Sequence, residues 1–277
     1  MQLRLKMCPR KILKTPMAQS VERFSSRVAN YVRYRPGYPP AIIDLLKTDC
    51  GLTSESLIAD IGSGPGKLTE LFLENGNVVF GVEPNAAMRA AAEKILQPYW
   101  GFRNVDGTAE STTLVSASVD FVTAGQAFHW FDVTKAKAEA RRILKQGGWV
   151  VLVWNERQVD TTPFLHDYEQ FLLQYGSDYP VVRHENSVAS IADFFAPDNV
   201  RLKRYPNSQE FDFESLKGRL LSTSYTPELG YPNFDSMLRD LSDIFNKHEK
   251  DGRISFDYDT RVHYGRLSNN SDPEQTS

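Results

Sequence analysis

The chain has 277 residues, 41% of them hydrophobic and 24% charged, enough apolar material for one large α/β domain or a medium domain with an insert. A formal net charge of −3 argues against a general nucleic-acid surface, which carries a basic excess. Two cysteines, Cys8 and Cys50, cannot build a disulfide framework, and no apolar run approaches the ~20 residues of a membrane span. These features predict a cytoplasmic protein with reduced thiols.

Residues 1–16 (MQLRLKMCPRKILKTP) are basic, contain no acid, and read as an extension rather than a targeting segment; translation starting at Met17 is the alternative. Ser20 is a suitable N-cap for a helix with Val21, Phe24, Val28, Tyr31 and Val32 on one face. The run YRPGYPP at 34–40 ends it, and a second helix follows over 41–48. Strands are then expected at 57–61, 78–82, 102–105, 119–123 and 149–154, separated by helices at 67–74, 86–96 and 132–144. The last of these strands is apolar on both faces, so the repeated βα units predict a parallel sheet covered by helices. Residues 156–250 read as mostly helical, with one short strand near 200–205, and alternation returns from Phe256 to Tyr264. The expected organisation is a flexible extension (1–18), a core with an N-terminal lid helix (19–155), a helical cap (156–250), a closing strand (251–267) and a polar tail (268–277).

The stretch DIGSGPG at 60–66 follows the first strand, where an open α/β sheet binds ligands. The dinucleotide fingerprint G-x-G-x-x-G would place its third glycine at Lys67, a poor residue for close helix–strand contact. A P-loop fails too, because the spacing is wrong and Leu68 stands where a magnesium-binding hydroxyl is needed. Glu83 ends the second strand, 23 positions after Asp60, where a carboxylate can accept two hydrogen bonds from a ribose diol. That serves any adenosine-bearing cofactor; the alternative is a surface Glu capping the next helix.

Five stretches in order, DIGSGPG (60–66), GVEPN (81–85), GTAE (107–110), SVDFV (118–122) and RILKQGG (142–148), together resemble a class I S-adenosylmethionine-dependent methyltransferase with a type 11 methyltransferase domain. QAFHWFD at 126–132 is similar to the small-molecule branch that includes trans-aconitate methyltransferase-like proteins. The resemblance spans about residues 20–155. It implies a Rossmann-like, doubly wound α/β fold: a seven-stranded, mostly parallel sheet with a helical cap inserted before the last strand. It also implies S-adenosyl-L-methionine as cofactor. Asp60, Gly62, Ser63, Gly64 and Gly66 would then seat the methionine part, with Asp60 orienting the loop or the amino group. Glu83 would grip the ribose, and Pro84 and Met88 would flank the adenine. Thr108, Ala109 and Glu110 would read the adenine, and Gln126 would offer amide or backbone contacts. Many relatives carry Asp where this chain has Thr108, so Asp106 is the alternative there.

Methyl transfer from a sulfonium is an in-line displacement, and a base is needed only if the acceptor is protonated. His129 is the base candidate; the alternative is that it positions Trp130. Tyr34, Arg35, Trp130, Trp154, Asn155 and Tyr225 are the tentative acceptor-site residues, Arg35 pairing either with a ligand carboxylate or within the lid. Aromatics and arginines together suit a small organic acid or aromatic acceptor. No metal constellation is visible, since His166, His184 and His263 lack paired spacings. The expected activity is methyl transfer to an oxygen, carboxylate or hydroxyl, of a small molecule, by a monomer or homodimer with no nucleic-acid or membrane partner. The competing readings are an RNA or DNA methyltransferase, which the acidic balance and the missing D/N-P-P-Y/F element disfavour, a non-catalytic cofactor-binding module and, more distantly, an NAD(P) oxidoreductase.

Overall fold

The computed structural model describes residues 28–176, 179, 187–223, 225–227 and 229–268. The expected extension, most of the expected tail, His184 and the part of the first helix before Val28 lie outside them. The chain begins with α1 (Val28–Tyr34) and α2 (Ala41–Cys50), the latter closed by Gly51 in the left-handed region. Alternation follows: β1 (Leu57–Ile61), α3 (Lys67–Glu74), β2 (Val78–Val82), α4 (Ala86–Leu96), β3 (Phe102–Val105), β4 (Val119–Gly125), α5 (Val133–Ile143) and β5 (Leu144–Arg157). The remainder is α6 (Pro163–Tyr175), α7 (Ser187–Phe195), β6 (Arg201–Phe211), α8 (Phe213–Leu221), α9 (Phe234–His248) and β7 (Ile254–Arg266).

The seven strands form one sheet in the order β3-β2-β1-β4-β5-β7-β6. The first five are parallel, and β7 runs antiparallel to both β5 and β6. The sheet is therefore Rossmann-like and mostly parallel, with its order reversing between β1 and β4. Short polar caps set the helices that flank it. Asn85 accepts from the Ala87 and Met88 N–H groups at the start of α4, and Asp132 accepts from the Lys135 N–H at the start of α5.

One face of the sheet buries Ile61, Val122, Val150 and Leu152 against α5 and α7, and the other buries Ile58, Val79, Val151 and Val262 against α2, α3 and α4. A third apolar cluster joins α6, α8 and α9 to the first half of β7 through Phe164, Leu220, Leu241 and Phe256. The long last strand thus belongs to the sheet along its length and roofs itself with the helices that precede it.

Two expectations change. The short strand near 200–205 is an eleven-residue edge strand, paired with β7 from Arg201 to Phe211. Its exposed face and Pro206 hid it, since a strand with one solvated face and a proline is tolerated only at an edge. The strand expected from Trp149 begins at Leu144, and its register with β4 jumps between the pairs Val119–Leu144 and Phe121–Trp149. Gly147 absorbs that irregularity with φ +75°. Among the described residues no helix is long and apolar enough to cross a membrane.

Candidate active site

The glycine loop lies at the switch point, between the carboxyl ends of β1 and β4. Gly62, Gly64 and Gly66 all have positive φ, but for different neighbours. A Cβ on Gly62 would sit 2.6 Å from that of Ala127, and one on Gly66 would sit 2.5 Å from Leu96 Cδ1. Gly66 thus makes the close helix contact that a dinucleotide loop assigns to its third glycine, and Lys67 is left free to point elsewhere. A Cβ on Gly64 would meet nothing within 4 Å. That position opens into a slot.

The slot is lined by Gly62, Gly64, Glu83, Pro84, Asn85, Met88, Thr108, Ala109, Trp130 and Phe131, with Tyr31 and Gln126 at one end. Glu83 accepts from the Gly64 N–H (3.0 Å) and from the Asn85 N–H (2.9 Å), one bond to each carboxylate oxygen. Burial raises its pKa, against the pull of those two bonds. Each oxygen keeps a lone pair, so a diol can still donate to the same carboxylate. Beside it the apolar walls of Pro84, Met88 and Phe131 form a slot suited to a flat heterocycle. The residues present therefore fit an adenosine-bearing cofactor.

Several expected donor-side residues are near the slot without lining it. Asp60 is fully buried and accepts from Thr69 Oγ1 (2.7 Å) and Thr123 Oγ1 (3.0 Å), which ties β1 to α3 and β4. Burial pushes its pKa up to about 6 despite those hydroxyls. Ser63 turns toward Gly81, its Oγ 3.1 Å from where a Cβ there would lie. Glu110 accepts from the Asp132 N–H (2.9 Å) and so fastens the 107–110 turn to the 126–132 loop. Asp106 is bound to Arg89 at 2.8 Å with its side chain 72% exposed, which removes it as the alternative to Thr108.

A larger cavity of about 640 Å³ adjoins the slot, bounded by the lid, β5–β7 and the helices after β5. Arg35, Asn155 and Tyr225 line it as expected, joined by Tyr38, Lys67, Arg157, Tyr179, Arg219 and Tyr258. Asn155 is held by three side-chain bonds: its Nδ2 donates to Gly37 O (2.9 Å), and its Oδ1 accepts from Thr260 Oγ1 (2.5 Å) and Asn207 Nδ2 (3.2 Å). The two cavities share two described lining residues, Tyr31 and Gln126. Gln126 has φ +56°, donates its side-chain amide to Asn155 O (2.9 Å), and leaves Oε1 buried without a hydrogen-bond partner.

Four expected residues are placed elsewhere. His129 is exposed, stacks on Trp130 with ring centroids 4.6 Å apart, and lines neither cavity. Trp154 is 3% exposed in the sheet core, edge-on to Phe128 and His263. Tyr34 packs on Gly218 of α8, where a Cβ would come within 2.0 Å of its ring, and so fastens the lid to the cap. Trp130 lines the donor slot, not the acceptor cavity. Arg219 was missed, although its place between Leu216 and Leu220, on the buried side of FESLKGRLL, is an odd position for a cation. Among the described residues no group of three or more His, Cys, Asp or Glu could hold a metal ion.

Residues 59–152, from the glycine loop through β5, match the methyltransferase domain family. These residues thus form a methyltransferase domain of the class I, S-adenosylmethionine-dependent kind. An uncharacterized methyltransferase of Schizosaccharomyces pombe is 28% identical over 225 residues, covering 80% of this chain and 86% of its relative. An uncharacterized methyltransferase of Mycobacterium tuberculosis is 39% identical over 138 residues, covering 48% of this chain and 52% of the relative. The fold recurs in a solved structure described as a type II methyltransferase of Anaeromyxobacter dehalogenans, with a TM-score of 0.62 and 20% identity over 85% of this chain and all of that one. The cofactor of this methyltransferase is accordingly S-adenosylmethionine, and Glu83 with the Gly64 N–H stands where its ribose would be held.

Proposed function

We propose that this methyltransferase passes the methyl group to an oxygen of a small molecule held in the larger cavity. One observation carries the reading: two cavities of different character meet across Tyr31 and Gln126, at the carboxyl end of β4. A volume of about 640 Å³ is in the range of small-molecule sites. Bound S-adenosylmethionine supplies an electrophilic methyl group that needs no further activation. The protein's task is then alignment and exclusion of water.

The residues support that division of work. Gln126 is fixed at both ends, its backbone N–H donating to Val153 O (3.0 Å) and its amide to Asn155 O, so the passage has a rigid wall. Tyr31 closes the other side from α1, while Tyr225 and Arg219 close the cavity from the cap. Among the described residues no histidine lines the cavity, so an acceptor already nucleophilic without deprotonation, such as a carboxylate, suits it best. An ammonium acceptor would face Arg35, Lys67, Arg157 and Arg219. In this reading residues 19–155 hold the donor and 156–250 shape the acceptor pocket, β6 adding a wall through Tyr205 and Pro206.

The test is incubation with labelled S-adenosylmethionine and a metabolite extract, with product masses measured. A small product gaining one methyl group is expected, and Gln126→Leu should lower kcat about 10–100-fold with cofactor affinity little changed. Methylated RNA or protein, with no small methylated product, would sink the proposal.

A further inference from the structure

Two side-chain oxygens at the passage between the cavities have no hydrogen-bond partner among the described residues. Gln126 supplies one. Its Nε2 donates to Asn155 O (2.9 Å), a carbonyl that only accepts, and this fixes which end of the amide is nitrogen. Its Oε1 is buried and unpartnered, and its backbone sits at φ +56°, a strained conformation for a residue other than glycine. A buried acceptor without a donor and a strained backbone are both costly. They coincide on a residue that lines both cavities.

Tyr38 supplies the other oxygen. It lines the acceptor cavity, yet its hydroxyl rests on Gly125, which lines the donor slot. A Cβ on Gly125 would lie 2.6 Å from Tyr38 Oη, closer than real side chains come. Gly125 is not among the glycines with positive φ, so the approach of this hydroxyl, rather than the backbone, accounts for a glycine there. No described residue bonds to Tyr38 Oη. Burial first, then Tyr31 and Asp60, hold the phenol's pKa well above its ordinary value, so it stays protonated and is no base.

Charge narrows the partner these oxygens suit. An amide oxygen only accepts, so it repels an oxyanion and favours a donor or a cation. A nucleophile that attacks without losing a proton brings lone pairs alone. A sulfonium spreads its positive charge over the methyl hydrogens, and in the proposed reaction every turnover carries that methyl through this passage.

We propose that Gln126 Oε1 and Tyr38 Oη are the oxygens that face the methyl of bound S-adenosylmethionine, and that through them the protein tells the charged donor from its neutral product. After transfer both oxygens face an uncharged thioether and lose the attraction, which favours release of the spent cofactor. The inference rests on the proposed acceptor only in setting aside an O–H partner.

The experiment uses the full chain without any acceptor. Titration calorimetry measures S-adenosylmethionine, S-adenosylhomocysteine and sinefungin, which bears an amine where the donor bears its methyl. Tyr38→Phe keeps the ring and removes the oxygen. It should lower the affinity for S-adenosylmethionine relative to S-adenosylhomocysteine about threefold and weaken sinefungin about tenfold. Gln126→Leu should lower the same ratio about threefold, a change small beside its effect on kcat. S-adenosylhomocysteine should stay within about twofold of wild type in both variants, which also reports that the slot is folded. Equal weakening of all three ligands would mean that these residues only prop the slot, and overturns the inference. So does a ratio unchanged in either variant. Methylated RNA, found with both ratios lowered as expected, would remove the small-molecule reading and leave this one standing.

Discussion

On the donor side, recognition runs through backbone and short motifs: the open edge of Gly64, its N–H on Glu83, and a turn at 107–110 latched by Glu110. The cavity proposed for the acceptor is lined instead by long side chains from distant elements, with Arg35 after α1, Lys67 on α3, Arg157 on β5, Arg219 on α8 and Tyr258 on β7. The first arrangement fixes one ligand, because backbone at positive φ admits few substitutions. The second can change acceptor by exchanging side chains on elements whose backbones need not move. A common donor with variable acceptors is the chemistry such a division serves.

The largest expected effect breaks the donor side alone. Gly64→Val puts a β-branched residue at φ +55° and fills the slot, so cofactor binding should fall beyond about 100-fold while the folded sheet persists. Glu83→Ala should weaken the cofactor about 10–100-fold. Both are read by titration calorimetry, and unchanged dissociation constants for the pair would contradict the site.

A pH experiment sharpens the contrast. Asp60 has a folded pKa of about 6 against an ordinary carboxylate value of 3.8, so the folded state holds the extra proton between them. Ligand-free stability from this group is highest below about pH 4 and is lost as the pH rises through 6. The shift corresponds to at most about 3 kcal/mol. Asp60→Asn should therefore gain in thermal midpoint relative to wild type between pH 4 and pH 8, despite losing an acceptor for Thr69 or Thr123. A difference flat across that range would mean that the carboxylate is ionised throughout.

The smallest effect is expected at His129. Exposed and outside both cavities, it should tolerate alanine with kcat within about twofold. A tenfold loss, with cofactor affinity intact, would restore it as a base.

What was legible in the sequence follows the same division. The βα alternation, the loop at 60–66 and Glu83 are local patterns, and each was readable where it stood. The meaning of Gly66 was not, because it depends on Leu96, thirty residues away. Lys67 weighed against a dinucleotide loop on the premise that its own position packs on the strand; the packing falls to its neighbour instead. Trp154 looked like a site residue because it ends an apolar strand near the loop, yet strand alternation turns it into the core. His129 attracted attention by its chemistry alone, and a three-residue 3₁₀ turn points it outward. Arg219 is meaningful only once β7 and α1 are folded against α8. The length of the edge strand β6 is hidden in the sequence because most of its positions are polar, with Arg201, Lys203 and Arg204 at one end, which is how an edge avoids pairing with strangers.

That strand has a second consequence. Tyr205 and Pro206 sit at once on the rim of the acceptor cavity and on the outermost member of the sheet. Within the sheet this jaw of the vice pairs with β7 alone, and no described strand lies beyond it. A lineage could refit the jaw to a new workpiece while the donor clamp, four strands inward, stays untouched.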